Sequence, residues 1–114
     1  MWEYRAELQR VVDGDTMDFC VDLGFNVSKE IRVRLADVDT NETYGVPKDS
    51  EEFTLGKKQA AFVEEWFESR GDIIIRTSKD EKGKYGRYIA RVFADGDDLS
   101  KDLIGEWSHV ESEY

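Results

Sequence analysis

"TMDFCVDL" (residues 16–23) puts Met17, Phe19, Val21 and Leu23 on one side of the chain and Asp18, Cys20 and Asp22 on the other. A period of two with one apolar face marks a half-buried β-strand. "GFNVS" (24–28) interrupts the pattern. "KEIRVRLA" (29–36) then resumes it, with Ile31, Val33 and Leu35 inward and Arg32 and Arg34 opposite. Two such runs across a short glycine-containing break predict an antiparallel hairpin.

Outward from the hairpin, "WEYRAELQRVV" (2–12) is compatible with a preceding strand of weaker periodicity. Residues 37–54 are polar and contain Gly45 and the only proline, Pro47, which predicts a surface loop. "LGKKQAAFVEEWFESRG" (55–71) sets Phe62, Val63, Trp66 and Phe67 at helical spacing, with Thr54 as the expected N-cap, Arg70 in the last turn and Gly71 just beyond. "DIIIRT" (72–77) reads as a strand and "SKDEKGKYG" (78–86) as a charged turn. "RYIARVFA" (87–94) reads as a strand running into "DGDD" (95–98), and "LSKDLIGEW" (99–107) as a short helix. The order predicts a mainly β fold with α, of OB type: a five-stranded Greek-key β-barrel, one helix between strands 3 and 4, and a short C-terminal helix. One domain over residues 1–114 is expected.

A single cysteine excludes an intramolecular disulfide, so packing must hold the fold, and three Trp, five Tyr and six Phe supply core material. No apolar run is long enough to span a membrane, and "MWEYRAELQR" lacks the apolar stretch of a leader. The expectation is a monomer without membrane association, cytoplasmic or secreted with its leader removed. A formal charge of -10 argues at face value against a nucleic-acid partner. The charge is unevenly spread, however. Residues 76–91 carry six basic side chains against Asp80 and Glu81, whereas residues 95–113 carry seven acids and only Lys101.

Two D-x-D pairs flank the hairpin, Asp13-Gly14-Asp15 before one strand and Asp37-Val38-Asp39 after its partner. In an antiparallel pair the start of one strand lies beside the end of the next, so the two pairs should meet. Converging carboxylates repel unless a cation joins them, and hard oxygen donors select Ca²⁺ or Mg²⁺. A bland turn is the competing reading of "DGD". Arg34 is expected to project from the barrel near these acids, Glu42 follows Asp39 by three positions, and Arg87 sits in the cationic stretch. Carboxylates for a metal, a spare carboxylate for a water and two arginines for an anion are what hydrolysis of a phosphodiester requires.

"VVDGDT", "RVRLADVDTNE", "KYGR" and "ADG", in this order and spacing, resemble the staphylococcal nuclease (thermonuclease) family, an OB-type barrel with helices, over roughly residues 8–108. The resemblance implies a Ca²⁺-dependent endonuclease acting on DNA and RNA and leaving 3′-phosphates. Asp15 and Asp39 would be carboxylate ligands and Thr40 a carbonyl ligand, with Asp13 behind them. Glu42 would act on the attacking water, Arg34 and Arg87 on the transition state, and Lys84 and Tyr85 on a substrate phosphate. For Asp13, a purely turn-holding role is an equal alternative.

The chain departs from the family where Asn41 replaces the usual proline, which predicts a looser backbone around Glu42. Only Tyr114 is available where the family stacks aromatics on a base. His109, the only histidine, is expected to be a surface residue. The alternative function is a non-catalytic nuclease-like OB module that binds nucleic acid or a protein partner.

Overall fold

The computed structural model describes residues 2–77 and 88–113. Strands β1 (Trp2–Asp13), β2 (Thr16–Asp22) and β3 (Ser28–Leu35) precede helix α1 (Glu51–Glu68). Strands β4 (Ile73–Thr77), β5 (Tyr88–Ala94) and the two-residue β6 (Asp97–Asp98) follow, then helix α2 (Leu99–Glu106) and a 3-10 turn (Ser108–Val110). The sheet order is β3-β2-β1-β4-β5-β6, and a parallel pairing of β3 with β5 closes five of the strands into a barrel. This is the mainly β, OB-like fold with two helices that the alternation pattern implies.

The hairpin forms as its sequence dictates. Met17, Phe19 and Val21 of β2, with Val33 and Leu35 of β3, face inward and are almost fully buried. Helix α1 supplies Val63, Trp66 and Phe67 to the same core, Phe67 meeting Phe19 edge to face at 5.9 Å between ring centres. Leu99 and Leu103 of α2 join them. Burying a side chain of this kind stabilises by roughly 1.5–3 kcal/mol, so the alternating positions dominate the fold's energetics.

Helix α1 begins a turn earlier than expected. Its N-cap is Ser50, whose hydroxyl accepts from the Phe53 amide, and Glu51 and Glu52 occupy the electropositive first turn. Thr54 is instead inside the helix, its hydroxyl donating to the Ser50 carbonyl. At the other end, Arg70 lies just past the last helical residue and donates to the Trp66 carbonyl. Asp98 caps α2 by accepting from the Ser100 and Lys101 amides.

The last described residues fold back on the loop after β3. Asp39 donates its amide to the Val110 carbonyl at 2.8 Å, and Ser112 donates to the Asp37 carbonyl at 2.9 Å. These bonds strap residues 37–39 to the body of the molecule. Among the described residues, no helix is long and apolar enough to cross a membrane.

Candidate active site

The register of the hairpin builds the site. Thr16 pairs with Arg34, so the start of β2 lies against the end of β3. The Leu35 amide then donates to the Asp15 carbonyl at 2.8 Å, and the chain beyond β3 passes directly over Asp15. The Thr40 amide donates to Asp15 Oδ2 at 3.0 Å, which joins the two D-x-D segments across 25 residues of sequence.

Asp15 is 6% exposed, and its other oxygen accepts the Thr16 hydroxyl at 3.0 Å. Burial alone would raise its pKa. A hydrogen bond from Asp13, the charge of Arg34, the Thr40 amide and the Thr16 hydroxyl outweigh that and hold it below the ordinary aspartate range. Asp13 goes the other way. Burial, followed by its hydrogen bond with Asp15 and the charges of Asp15 and Glu42, pushes it up to about 7. Its Oδ1 also accepts the Asp15 amide at 3.1 Å, as an aspartate that holds a turn does.

Arg34 does not project from the barrel as strand alternation suggests. It is 3% exposed, because the loop after β3 folds across that face. Nη1 donates to the carbonyls of Leu35 and Val38, at 2.9 and 2.7 Å, which fixes the plane of the guanidinium. Nη2 lies 3.2 Å from Asp39 Oδ1 and 3.5 Å from Asp15 Oδ2. The side chain of Asp39 remains 55% exposed. Asp37, its partner in the D-x-D pair, instead has φ of 66° and forms an ion pair with Arg91, which also meets Asp98 at 3.2 Å.

Glu42 is exposed beside this cluster. Burial first, then the charges of Asp15, Asp39 and Glu52, raise its pKa above the usual glutamate value. Asp13, Asp15, Arg34, Asp39, Thr40 and Glu42 thus share one edge of the barrel. Lys84, Tyr85 and Arg87, and the terminal Tyr114, lie outside the described residues.

Asn41, where a looser backbone is expected, is tied to α1 by hydrogen bonds. The Asn41 amide donates to Gln59 Oε1 at 2.7 Å, and Gln59 Nε2 returns a bond to Asn41 Oδ1 at 2.8 Å. His109 is exposed as expected, yet its Nε2 lies 2.7 Å from the same Asn41 oxygen. Gly14 is required here for space: a Cβ on it would sit 2.8 Å from Thr40 Cγ2 and 3.1 Å from Gln59 Cβ. Sequence reading missed Gln59 and His109, since nothing local distinguishes a helix glutamine or a late histidine whose partner is far along the chain.

Among the described residues, no three His, Cys, Asp or Glu side chains are disposed to hold a metal ion. Two carboxylates nevertheless converge on one cationic group, and the neighbouring acids Asp13 and Glu42 are hard to ionise. That is the electrostatic setting of a site short of positive charge. A groove of about 710 Å³ between β1 and the end of α1, lined by Leu8, Arg10, Glu64 and Arg70, contains none of these residues. The cluster combines buried Asp15, Arg34 and Thr40 with exposed Asp39 and Glu42.

Comparison with known proteins gives the same direction. The chain is 29% identical over 106 residues to the endonuclease YhcR of Bacillus subtilis (strain 168), covering 90% of this chain and 8% of that protein. It therefore spans only a small part of that relative's length. A family model described as staphylococcal nuclease homologue matches residues 32–107, more than half of the chain, including the second half of β3 and Arg34, Asp39, Thr40 and Glu42. With the barrel and its acidic edge, that match places the chain in the staphylococcal nuclease homologue family.

Proposed function

We propose that this chain is a Ca²⁺-dependent nuclease domain that hydrolyses phosphodiester bonds of DNA and RNA, with Glu42 acting on the attacking water and 3′-phosphates as products. The observation that carries the reading is the convergence of Asp15 and Asp39 on the buried guanidinium of Arg34, beside Glu42. The relative named an endonuclease supports the same class of reaction.

Asp15, Asp39 and the Thr40 carbonyl are hard oxygen donors, and Ca²⁺ accepts carbonyls and waters alongside a small number of carboxylates. Bound to them, the ion would supply positive charge against the phosphoryl oxygens. Asp15 is kept ionised and oriented by the Thr40 amide and Thr16 hydroxyl. Asp39 is exposed enough to turn toward an arriving ligand. Arg34, clamped by two carbonyls, presents a fixed donor to charge that develops on phosphorus-bound oxygen, without reorganising as it does so. The raised pKa of Glu42, set by partial burial and the neighbouring acids, makes it a stronger base toward a water than a free glutamate. Arg87 would be the second guanidinium, with Lys84 and Tyr85 as phosphate contacts.

The test is cleavage of single-stranded DNA and RNA in millimolar Ca²⁺ against EDTA, with end-group analysis of the products. Cleavage confined to Ca²⁺, with 3′-phosphate ends, is expected, and Glu42→Gln should lower kcat by roughly 10²–10⁴-fold. Intact substrates under both conditions would overturn the reading. Tight, EDTA-insensitive oligonucleotide binding without cleavage would mark a binding module instead.

A further inference from the structure

The segment that carries Glu42 is held to α1 by a set of bonds that a proline at position 41 could not make. Glu52, Gly56 and Gln59 lie at i, i+4 and i+7, on one face of α1. Gln59 is fully buried, and both ends of its amide are satisfied by Asn41, one by the backbone N–H and one by the side-chain oxygen. Asn41 Nδ2 donates to Glu52 Oε1 at 2.9 Å. The other oxygen of the same carboxylate accepts the backbone N–H of Glu42. Gly56 permits the approach, since a Cβ there would lie 2.7 Å from both the Asn41 carbonyl oxygen and Thr43 Cγ2.

From these contacts we propose that Asn41, Gln59 and Glu52 form a positioning device for Glu42, fixing its backbone by hydrogen bonds to α1. The device rests on the reading of Glu42 as the residue that acts on water. Its logic is that of complete satisfaction. A buried glutamine amide is costly when unpaired, so Gln59 holds Asn41 in one conformation, and Asn41 orients the carboxylate that binds the Glu42 amide. Small displacements of a catalytic group lower the rate of the chemical step more than they lower binding. These three residues are therefore expected to act on kcat.

Gln59→Leu fills the same space without a hydrogen-bonding group, and Asn41→Pro removes the N–H that Gln59 accepts. Each single variant should lower kcat by roughly 10- to 100-fold with KM within about threefold. The double variant Asn41→Pro/Gln59→Leu, which fixes φ with a ring and leaves neither amide of the pair unsatisfied, should recover to within about fivefold of the parent. Effects that simply multiply in the double variant, or an unchanged kcat in Gln59→Leu, would overturn the proposal. Amide hydrogen exchange in EDTA separates it from the nuclease reading. The Asn41 and Glu42 amides should exchange slowly in the parent and faster in Gln59→Leu, while the β2 and β3 amides, which report global unfolding, stay protected. That pattern in a protein that cleaves nothing would sustain the device and sink the nuclease reading. Unchanged exchange at both amides would sink the device whatever the activity.

Discussion

In Asp13-Gly14-Asp15 the first carboxyl turns back to take the Asp15 amide, and the second is buried under the Thr40 amide. In Asp37-Val38-Asp39 the first carboxylate pairs with Arg91, and the second faces Arg34 with half its side chain in water. Each turn spends one aspartate on architecture and offers one to the site. The difference lies in when the offered carboxylate is organised. Asp15 is set by the fold itself, whereas Asp39 rides on a strapped loop and retains freedom to adjust to a ligand.

The widest gap between the two turns should appear on truncation. Asp15→Ala leaves the Thr40 amide and the Thr16 hydroxyl without their acceptor and removes a buried countercharge of Arg34, and should cost about 3 kcal/mol in urea denaturation as well as abolishing cleavage. Asp39→Ala should abolish cleavage too, but change stability by less than about 1 kcal/mol, because an exposed pair contributes little. Equal stability losses would erase the distinction.

A smaller effect depends on pH. Asp13 has a folded pKa near 7, above its unfolded value of 3.8, so the fold favours its protonated form. The stability this gives is fully present below about pH 4 and is lost as pH rises through about 7. Asp13→Asn imitates the protonated acid. In EDTA the variant should gain on the parent between pH 4 and 8, reaching about 1–2 kcal/mol once the partial exposure of Asp13 is allowed for. Asp15, whose pKa is lowered partly by its hydrogen bond with Asp13, contributes stability that disappears on acidification, so the difference between the two proteins reports the Asp13–Asp15 pair. A gap independent of pH would show that Asp13 is not titrating in this range.

The smallest expected change is at Asp37. Removing its charge in Asp37→Asn should cost about 0.5–1 kcal/mol through the lost Arg91 pair and leave cleavage within twofold. A large loss of activity would mean that the architectural aspartate of the second turn also serves the site.

What could be read from the chain was what short-range pattern encodes. The β2–β3 hairpin follows from strict alternation, and the meeting of the two turns follows from antiparallel pairing once the hairpin is granted. The start of α1 is ambiguous in the sequence because Ser50 and Thr54 both offer a capping hydroxyl. The acidic pair Glu51 and Glu52, right for a first turn, was the signal that decides between them. Arg34 was assigned the correct face, yet alternation along a strand says nothing about a later loop covering that face. At Asn41 the local sequence shows only that a proline is missing. Its compensating partner is 18 residues away on a helix, a contact that no local period reveals.

The strap formed by residues 110–112 also has a temporal meaning. A ribosome releases the chain from its N-terminus, so the hairpin and both aspartate turns emerge well before Val110 and Ser112. The bonds that hold Asp37 and Asp39 in place cannot form until those residues have emerged as well. A nascent chain would carry the acids of the site without their final geometry, and the Asp39 amide of a chain stopped at Trp107 should exchange readily.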